Sequence, residues 1–547
     1  MILGIDMGGT NIDGVALKDG KLLKRVKRPV DRERRLDSVL QILEESLEGL
    51  NPDEIKRIHL STTVCTNAIV EGRSSKVGLV LQTGPGMLWD YSEVSPHVAM
   101  ISGSVDHRGK VVKDFDRSEL EKIKKDFKSA GLDAIAVVTK FSTRNPEAEL
   151  SLAEYFGEYF SHVTMGHSLS GRLNFPRRVQ SAYLNAAVAS TFAEFSNSIK
   201  SVLKEKKIDA PVYILKADGG TLPLEEADKR PVETILSGPA ASFMGVMALL
   251  PDDKIRQNLC LIDIGGTTTD IFFLVDGIPV FEPDGIEIDG RKTLLRALYS
   301  RSVGLGGDSE IRWEDGELQI GPQRLGNALA FGGSSPTPTD ALVVLGQMQG
   351  NFPEKSEAGL AKLAAEHDLT AKELAQKIVD RFVESLDKNI QKCLIELNSR
   401  PVTTIRELLS DKSVKVDALA IIGGPANALS TFVEKHFELP VSCPAEYEVA
   451  NAIGAALSKP TLELNLLADT ERGILSIPEL DFYESIQRSF NLQRAKEIIF
   501  DKLRQVAPDG DAEILDAESF NMVQSFHVDK NIRVKAQIKP ALLMKLV

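Results

Sequence analysis

A pattern that occurs twice constrains this chain more than any other feature. Leu261-Ile262-Asp263-Ile264-Gly265-Gly266-Thr267-Thr268-Thr269-Asp270-Ile271 is an apolar run ending in an acid, then a Gly-Gly turn, three hydroxyls and a second acid. Ile2-Leu3-Gly4-Ile5-Asp6-Met7-Gly8-Gly9-Thr10-Asn11-Ile12-Asp13 opens the chain in the same way. In each copy the leading acid is followed by glycine at the second and third positions after it, threonine at the fourth and aspartate at the seventh. An apolar run that delivers an Asp into a glycine turn predicts strand, turn, strand. Glycines let backbone N–H groups approach an anion, and neighbouring hydroxyls add donors. An Asp at the strand end can hold Mg²⁺, directly or through the waters this hard ion seldom gives up. One such turn is no more than a hairpin. Two at identical spacing predict a pair of phosphate-binding hairpins facing each other across a cleft.

The rest of the chain alternates strand and helix patterns. Residues 14–17 and 22–26 read as a hairpin around Asp19-Gly20, and Leu36, Leu40, Leu43 and Leu47 recur at helical spacing. A short strand at 58–60 leads into Ser61-Thr62-Thr63-Val64-Cys65-Thr66-Asn67-Ala68. Thr62, Thr63 and Asn67 are candidate substrate contacts there; a helix N-terminus capped by Ser61 or Thr62 explains the same residues equally well. Strands are expected at 76–82 and 134–141, helices at 146–160 and 177–204. Asp106-His107-Arg108-Gly109 reads as a hairpin turn whose charge serves solubility, and His162 and His167 as non-ligands. Asp218-Gly219-Gly220 and Ser237-Gly238-Pro239 are glycine transitions that would serve equally as hinges. A third glycine turn, Val303-Gly304-Leu305-Gly306-Gly307-Asp308-Ser309, lacks the last glycine of a dinucleotide fingerprint, and no P-loop occurs. Leu374, Ile378, Phe382, Leu386, Ile390 and Leu394 mark a long amphipathic helix. An apolar strand then runs into Gly423-Gly424, where a bare backbone would let a base and ribose lie close. Asn451 is the polar residue of a small-residue helix that follows. Beyond Pro460 a helix at 491–506 and strands at 512–515, 520–528 and 532–538 predict a small appended α/β module without evident chemistry.

Composition excludes several classes. With 65 basic against 78 acidic residues the net charge is −13, unlike a general nucleic-acid or anionic-membrane binder. Cys65, Cys260, Cys393 and Cys443 are far apart and form no Cys-x-x-Cys, which points to a reducing cytoplasm and no zinc knuckle. The opening strand carries Asp6 and leaves no room for a signal peptide, and no apolar run is long enough to span a membrane.

The two hairpins, the late Gly-Gly turn and the small-residue helix together resemble the actin-like ATPase and sugar-kinase superfamily, and within it the hydantoinase/oxoprolinase family. That family includes N-methylhydantoinase A, 5-oxoprolinase and acetone carboxylase subunit types. The segments that carry the resemblance are Asp6 to Asp13, STTVCTNAIVEG from Ser61, Asp218-Gly219-Gly220 and LSGPAA from Leu236. They continue with Asp263 to Asp270, Val303 to Ser309, TPTDALVVLG from Thr337, and Asn451 to Ala456. The chain departs from the family where Asp308 replaces a frequent third glycine, where Leu60-Ser61 stand for a frequent His-Gly, and in its short C-terminal region. Those departures bear on the substrate rather than on the nucleotide.

The resemblance implies an α/β fold: two ribonuclease H-like domains around a nucleotide cleft, residues 1–250 with an insertion and 251–460, then a C-terminal module at 461–547. It implies ATP and Mg²⁺ as cofactors, with Asp6 and Asp263 as metal-managing acids. The turns Gly8-Gly9-Thr10, with Asn11, and Gly265-Gly266-Thr267, with Thr268, would hold phosphates. Gly306, Gly307, Asp308, Gly423, Gly424 and Asn451 would complete the nucleotide site. Asp13, Asp218 and Asp270 are candidates for a base or an outer ligand. The implied chemistry is opening of a cyclic amide by phosphorylating its carbonyl oxygen. Open alternatives are a small-metabolite kinase and an ATPase subunit that activates a partner such as a hydantoinase B-type or carboxylase subunit. An oligomer is expected.

Overall fold

Both Asp-led runs form the central strand of a sheet. The structure is a computed structural model and describes residues 1–546 apart from 9–10, 32–33, 87–88, 315, 401–412, 509 and 525–526. Gly9 and Thr10, expected at the first turn, therefore lie outside the described residues. The first sheet contains β1 (Ile2–Met7), β2 (Asn11–Lys18), β3 (Lys21–Pro29), β4 (Arg57–Ser61), β5 (Val212–Leu215) and β6 (Thr221–Pro223), in the spatial order β6-β5-β4-β1-β2-β3. The second contains β7 (Leu259–Ile264), β8 (Thr269–Val275), β9 (Ile278–Pro279), β10 (Arg301–Val303), β11 (Ala418–Ile422) and β12 (Val441–Ser442), in the order β9-β8-β7-β11-β12, with β10 also on β8. In both sheets the central strand begins an antiparallel run of three strands on one side and is parallel to the two strands on its other side. The chain is thus a mixed α/β protein with one topology used twice.

Apolar strands buried on both faces make the centre of each sheet. Leu3, Ile5, Ile58, Leu60 and Ile214 pack under the long helix Phe175–Glu205, and Ile262, Ile421 and Phe273 under the helix Ala371–Asn398. A four-stranded parallel sheet, His162–Met165, Ala134–Thr139, Val77–Gln82 and Val98–Met100, is inserted within the first half. Two helices cross between the halves. The helix α1 (Ser237–Leu249) follows the first sheet yet shares a core with Leu259, Leu261, Phe272 and Leu274 of the second. The helix α2 (Ala450–Leu457) follows the second sheet yet packs Ile453, Ala456 and Leu457 on Val15 and Leu17 of the first. They touch at two glycines: a Cβ on Gly454 would lie 2.2 Å from the Ala241 carbonyl oxygen, and one on Gly245 would lie 2.1 Å from that of Ala450. No other side chain allows that approach.

The C-terminal region departs from expectation. Its sheet has five antiparallel strands, Phe482–Ser485, Ile474–Ile477, Glu463–Asp469, His527–Ile538 and Ala512–Gln524. Two long strands replace the three predicted after residue 511, and the three before residue 486 were not foreseen. The helix Leu492–Val506 covers the sheet through Ala495, Ile499 and Leu503. Arg108, assigned to solubility from the sequence, instead makes a two-pronged bond to Asp469, at 2.7 and 3.0 Å, and an ion pair with Glu471. That turn fastens the inserted region to the C-terminal sheet.

Candidate functional site

The four hairpin acids stand in matched pairs. Asp6 is the register partner of Asp13 across β1 and β2, and Asp263 of Asp270 across β7 and β8. Register partners in a sheet point to the same face. Both turns close with the same hydrogen bond: Gly8 N–H donates to the Asn11 carbonyl at 3.0 Å, and Gly265 N–H to that of Thr268 at 2.9 Å. The repeat seen in the sequence is therefore a repeat in backbone geometry.

The crossing helices bring the two pairs together. Asn451, on α2, donates its amide to Asp263 Oδ2 at 3.3 Å and lies close enough to Asp6 to favour its charged form. Ser242, on α1, donates to the same Asp263 oxygen at 2.6 Å. Burial pushes the Asp6 carboxyl up to about 7 despite its bonds with Ser61 and Asn451, and Asp13 and Asp263 push it further. Burial likewise raises Asp270 to about 7, with the Asp263 charge adding to the effect. Burial also raises Asp263, against the bonds from Ser242 and Asn451, and Asp13, against the charge of Lys27. Oδ1 of Asp6 and Oδ1 of Asp270 are buried without a hydrogen-bond donor. Four crowded acids with unmet oxygens suit a divalent cation. Among the described residues no group of three or more His, Cys, Asp or Glu could enclose a metal unaided.

The third glycine turn is part of the same structure, though its amides are already used. Gly307 N–H donates to the Gly265 carbonyl at 2.9 Å and Asp308 N–H to that of Gly266 at 2.7 Å. A Cβ on Gly306 would fall 2.5 Å from the Gly266 oxygen and 2.6 Å from the Thr267 carbonyl carbon. Gly306 and Gly307 therefore pack directly on the second Asp-led turn, with the Gly307 N–H already bonded to it. Asp308 pairs with Arg324 at 2.7 Å. The turn Gly423-Gly424 adjoins this one. Gly423, at φ +97°, lies where a Cβ would be 2.8 Å from Asp263 Oδ1, whereas a Cβ on Gly424 would meet nothing within 4 Å.

The segment at Ser61 packs on LSGPAA. Ser237 Oγ donates to the Thr62 carbonyl at 3.0 Å and accepts from Thr62 N–H at 3.3 Å. Leu236 N–H donates to Thr66 Oγ1, and Leu236 itself sits at φ +61°, an uncommon conformation for a branched side chain. Thr62 Oγ1 accepts from Val64 N–H at the start of the helix Val64–Val70, and Asn67 bonds Thr63 at 2.9 Å. The helix start is there, but its N-cap is Thr63 with no side-chain capping bond, which corrects the expected cap at Ser61 or Thr62, while Thr63 and Asn67 bond each other.

Asp218 is elsewhere. Its carboxylate takes Lys216 at 3.3 Å, Arg296 at 3.1 Å, Thr461 at 2.8 Å and Gly220 N–H at 3.0 Å. Burial alone would raise its pKa, but Lys216 and Arg296 hold it below the usual range. A carboxylate so completely occupied is a structural tie between β5 and the C-terminal region, not a base. Sequence reasoning missed Ser242 and Lys27. Lys27, on β3, lies 3.0 Å from Asp13 Oδ1 and donates to the Glu448 carbonyl at 2.9 Å. A single serine in an apolar helix and a lysine in a basic edge strand carry no distinguishing local signal.

The hydantoinase/oxoprolinase family model matches residues 178–464, and the model of that family's N-terminal region matches residues 2–160. The chain is 25% identical to 5-oxoprolinase 1 of Arabidopsis thaliana over 77% of its own length and 38% of that protein. It is 24% identical to the acetophenone carboxylase gamma subunit of Aromatoleum aromaticum, over 70% of this chain and 58% of the relative. It thus spans less than two thirds of these relatives. The solved ATP-dependent caprolactamase of Pseudomonas jessenii shares the fold, with a TM-score of 0.71 at 19% identity over 98% of this chain and 87% of that one. This protein belongs to the hydantoinase/oxoprolinase family.

Proposed function

We propose that the protein is an ATP-dependent hydrolase that opens a cyclic amide of the hydantoin or oxoproline kind, or the ATP-using subunit of such an enzyme. One observation carries the reading: Asn451 contacts both Asp6 and Asp263, so the two Asp-led turns converge on one point. In this reading residues 1–250 and 251–460 are two ribonuclease H-like domains that clamp ATP, and 461–547 a small module. Asp6 and Asp263 hold Mg²⁺, which when bound supplies positive charge to the phosphates. The two glycine turns orient the triphosphate, and Gly424 leaves room for the nucleoside. Asp270, buried and without a cationic partner in its row, is the best placed of the acids to hold a proton.

An amide carbonyl is a poor electrophile. Its oxygen attacks the γ-phosphorus, the bond to ADP breaks, and ADP leaves. Water adds to the activated carbon, the ring C–N bond breaks with its nitrogen taking a proton, and a second water attacks the resulting acyl carbon and breaks its C–O bond, so that the former carbonyl oxygen leaves with phosphate and the acid is released. Such transfer rests mainly on positioning and charge neutralisation. The names of the relatives, an oxoprolinase and a carboxylase subunit, support this chemistry and a possible role beside a hydantoinase B-type or carboxylase partner in a larger oligomer. Four unpaired cysteines agree with the cytoplasm as its location. The test follows oxygen: a cyclic amide labelled with ¹⁸O at the carbonyl should give labelled phosphate. Unlabelled phosphate alongside opened product would defeat carbonyl phosphorylation.

A further inference from the structure

We propose that Lys27 is a phosphate-binding residue, which on nucleotide entry exchanges Asp13 and the Glu448 carbonyl for an oxygen of the terminal phosphate. This rests on the reading of the cleft as an ATP site and extends it to a residue outside every motif. Asp6, Asp13 and Lys27 are consecutive register partners across β1, β2 and β3, so the three side chains share the cleft face. The ammonium stands 3.0 Å from Asp13 and 2.9 Å from the Glu448 carbonyl. Glu448 belongs to the turn Tyr447–Val449 that leads into α2 and so to Asn451. Lys27 thus reaches from the first sheet to the helix that touches both leading acids. Its side chain remains 42% exposed, so it can move.

Charge balance gives the reason. A triphosphate adds several negative charges to a place that already holds Asp6, Asp13, Asp263 and Asp270. In the second hairpin the position matching Lys27 is Ser302, the register partner of Asp270, and no cation stands there. Nearby, Arg324 is occupied by Asp308 and Asn327, and Arg25 by Glu446. The row of Lys27 places a cation beside Asp13, one strand from Asp6, and lysine is a flexible point charge suited to phosphate.

Binding of Mg-ATP and Mg-ADP to the full chain should be measured by calorimetry for wild type, Lys27→Met, Lys27→Arg and the double variant Lys27→Met/Asp13→Asn. Lys27→Met should weaken ATP about 10–100-fold, the range of one hydrogen bond to a charged group, and ADP no more than about threefold. Lys27→Arg should retain most of the ATP affinity. If Lys27 only balances Asp13, the double variant recovers ATP binding; if it meets the phosphate, the double variant stays weak. Recovery, or equal losses for ATP and ADP, would overturn the assignment while leaving the ATP reading intact. A wild type that binds neither nucleotide would overturn both. Should Lys27→Met misfold, Lys27→Gln decides: a loss of affinity for ATP but not for ADP requires contact with the terminal phosphate, and an unchanged ATP-to-ADP ratio denies it.

Discussion

In the first hairpin the second acid, Asp13, faces Lys27; in the second hairpin its counterpart, Asp270, faces Ser302. The two hairpins are alike in the register of their acids and in the turn hydrogen bond, while Lys27 comes from the strand that continues the first hairpin and Ser302 from the separate strand β10. Asp13 is raised by burial but opposed by a cation at 3.0 Å. Asp270 is raised to about 7 with nothing but Ser302 to ease it, and one of its oxygens has no donor. A duplicated framework thus carries a cation opposite the second acid of one hairpin and a hydroxyl opposite that of the other. That asymmetry suits a reaction with a donor on one face and an acceptor on the other, where identical halves would have no way to tell the two apart.

Loss of the leading acids should erase the comparison altogether. Asp6→Asn and Asp263→Asn should each lower ATP turnover about 10²–10⁴-fold, the scale of removing one charge-managing group from a phosphoryl-transfer site. Steady-state ADP release measures it, and near-wild-type rates in both would make the acids structural.

The second acids should then separate. Asp270→Asn should cost about 10–100-fold in kcat, as expected for an acid–base group, while Asp13→Asn should cost about threefold or less because no transferred proton passes through it. Equal losses would show that the halves work alike. A milder change makes the halves alike by design: Ser302→Lys puts a cation opposite Asp270 and should lower its pKa, reducing turnover about 3–10-fold and moving the acid limb of the pH–rate profile downward. An unmoved limb would remove Asp270 from the proton transfer.

The smallest effect lies outside both hairpins and serves as a control. His167 is held between Glu149 at 2.6 Å and Asp481 at 2.9 Å. Burial disfavours its charge, yet the two carboxylates win and raise its pKa to about 9. Because the folded value exceeds the unfolded one of about 6.5, the stability it adds is complete below pH 6.5 and lost as pH rises through 9. Melting between pH 7 and 9.5 should fall about 2–4 °C more in wild type than in His167→Gln, with the ratio of Asp13 to Asp270 effects unchanged. Identical slopes would remove the charged latch.

Local elements were largely legible. The Arg35–Leu47, Phe175–Glu205 and Ala371–Asn398 helices and the strands on either side of each glycine turn announce themselves through periods of 3.6 and 2. The short strands Ile474–Ile477 and Phe482–Ser485 did not, since four residues carry too little pattern. The merged strands at the C-terminus were misread because polar residues on an exposed face imitate a break. Arg108 looked like a solubility charge because its partner Asp469 is 361 residues away. Asp218 looked like a base because its cations, Lys216 and Arg296, come from two separate segments.

The Asp-led turns were encoded within a dozen residues each: a glycine pair, one Gly N–H to carbonyl hydrogen bond and two register-matched acids need no distant partner. Their meeting was not encoded there. It depends on α1 and α2 crossing at Gly245 and Gly454, each helix packing on the other half's sheet, so that Asn451 and Ser242 arrive at Asp263 from opposite directions. Burial by that crossing also raises Asp6 and Asp270 to about 7. A pKa set by desolvation belongs to the packed molecule, because no sequence pattern states how much water the fold will exclude.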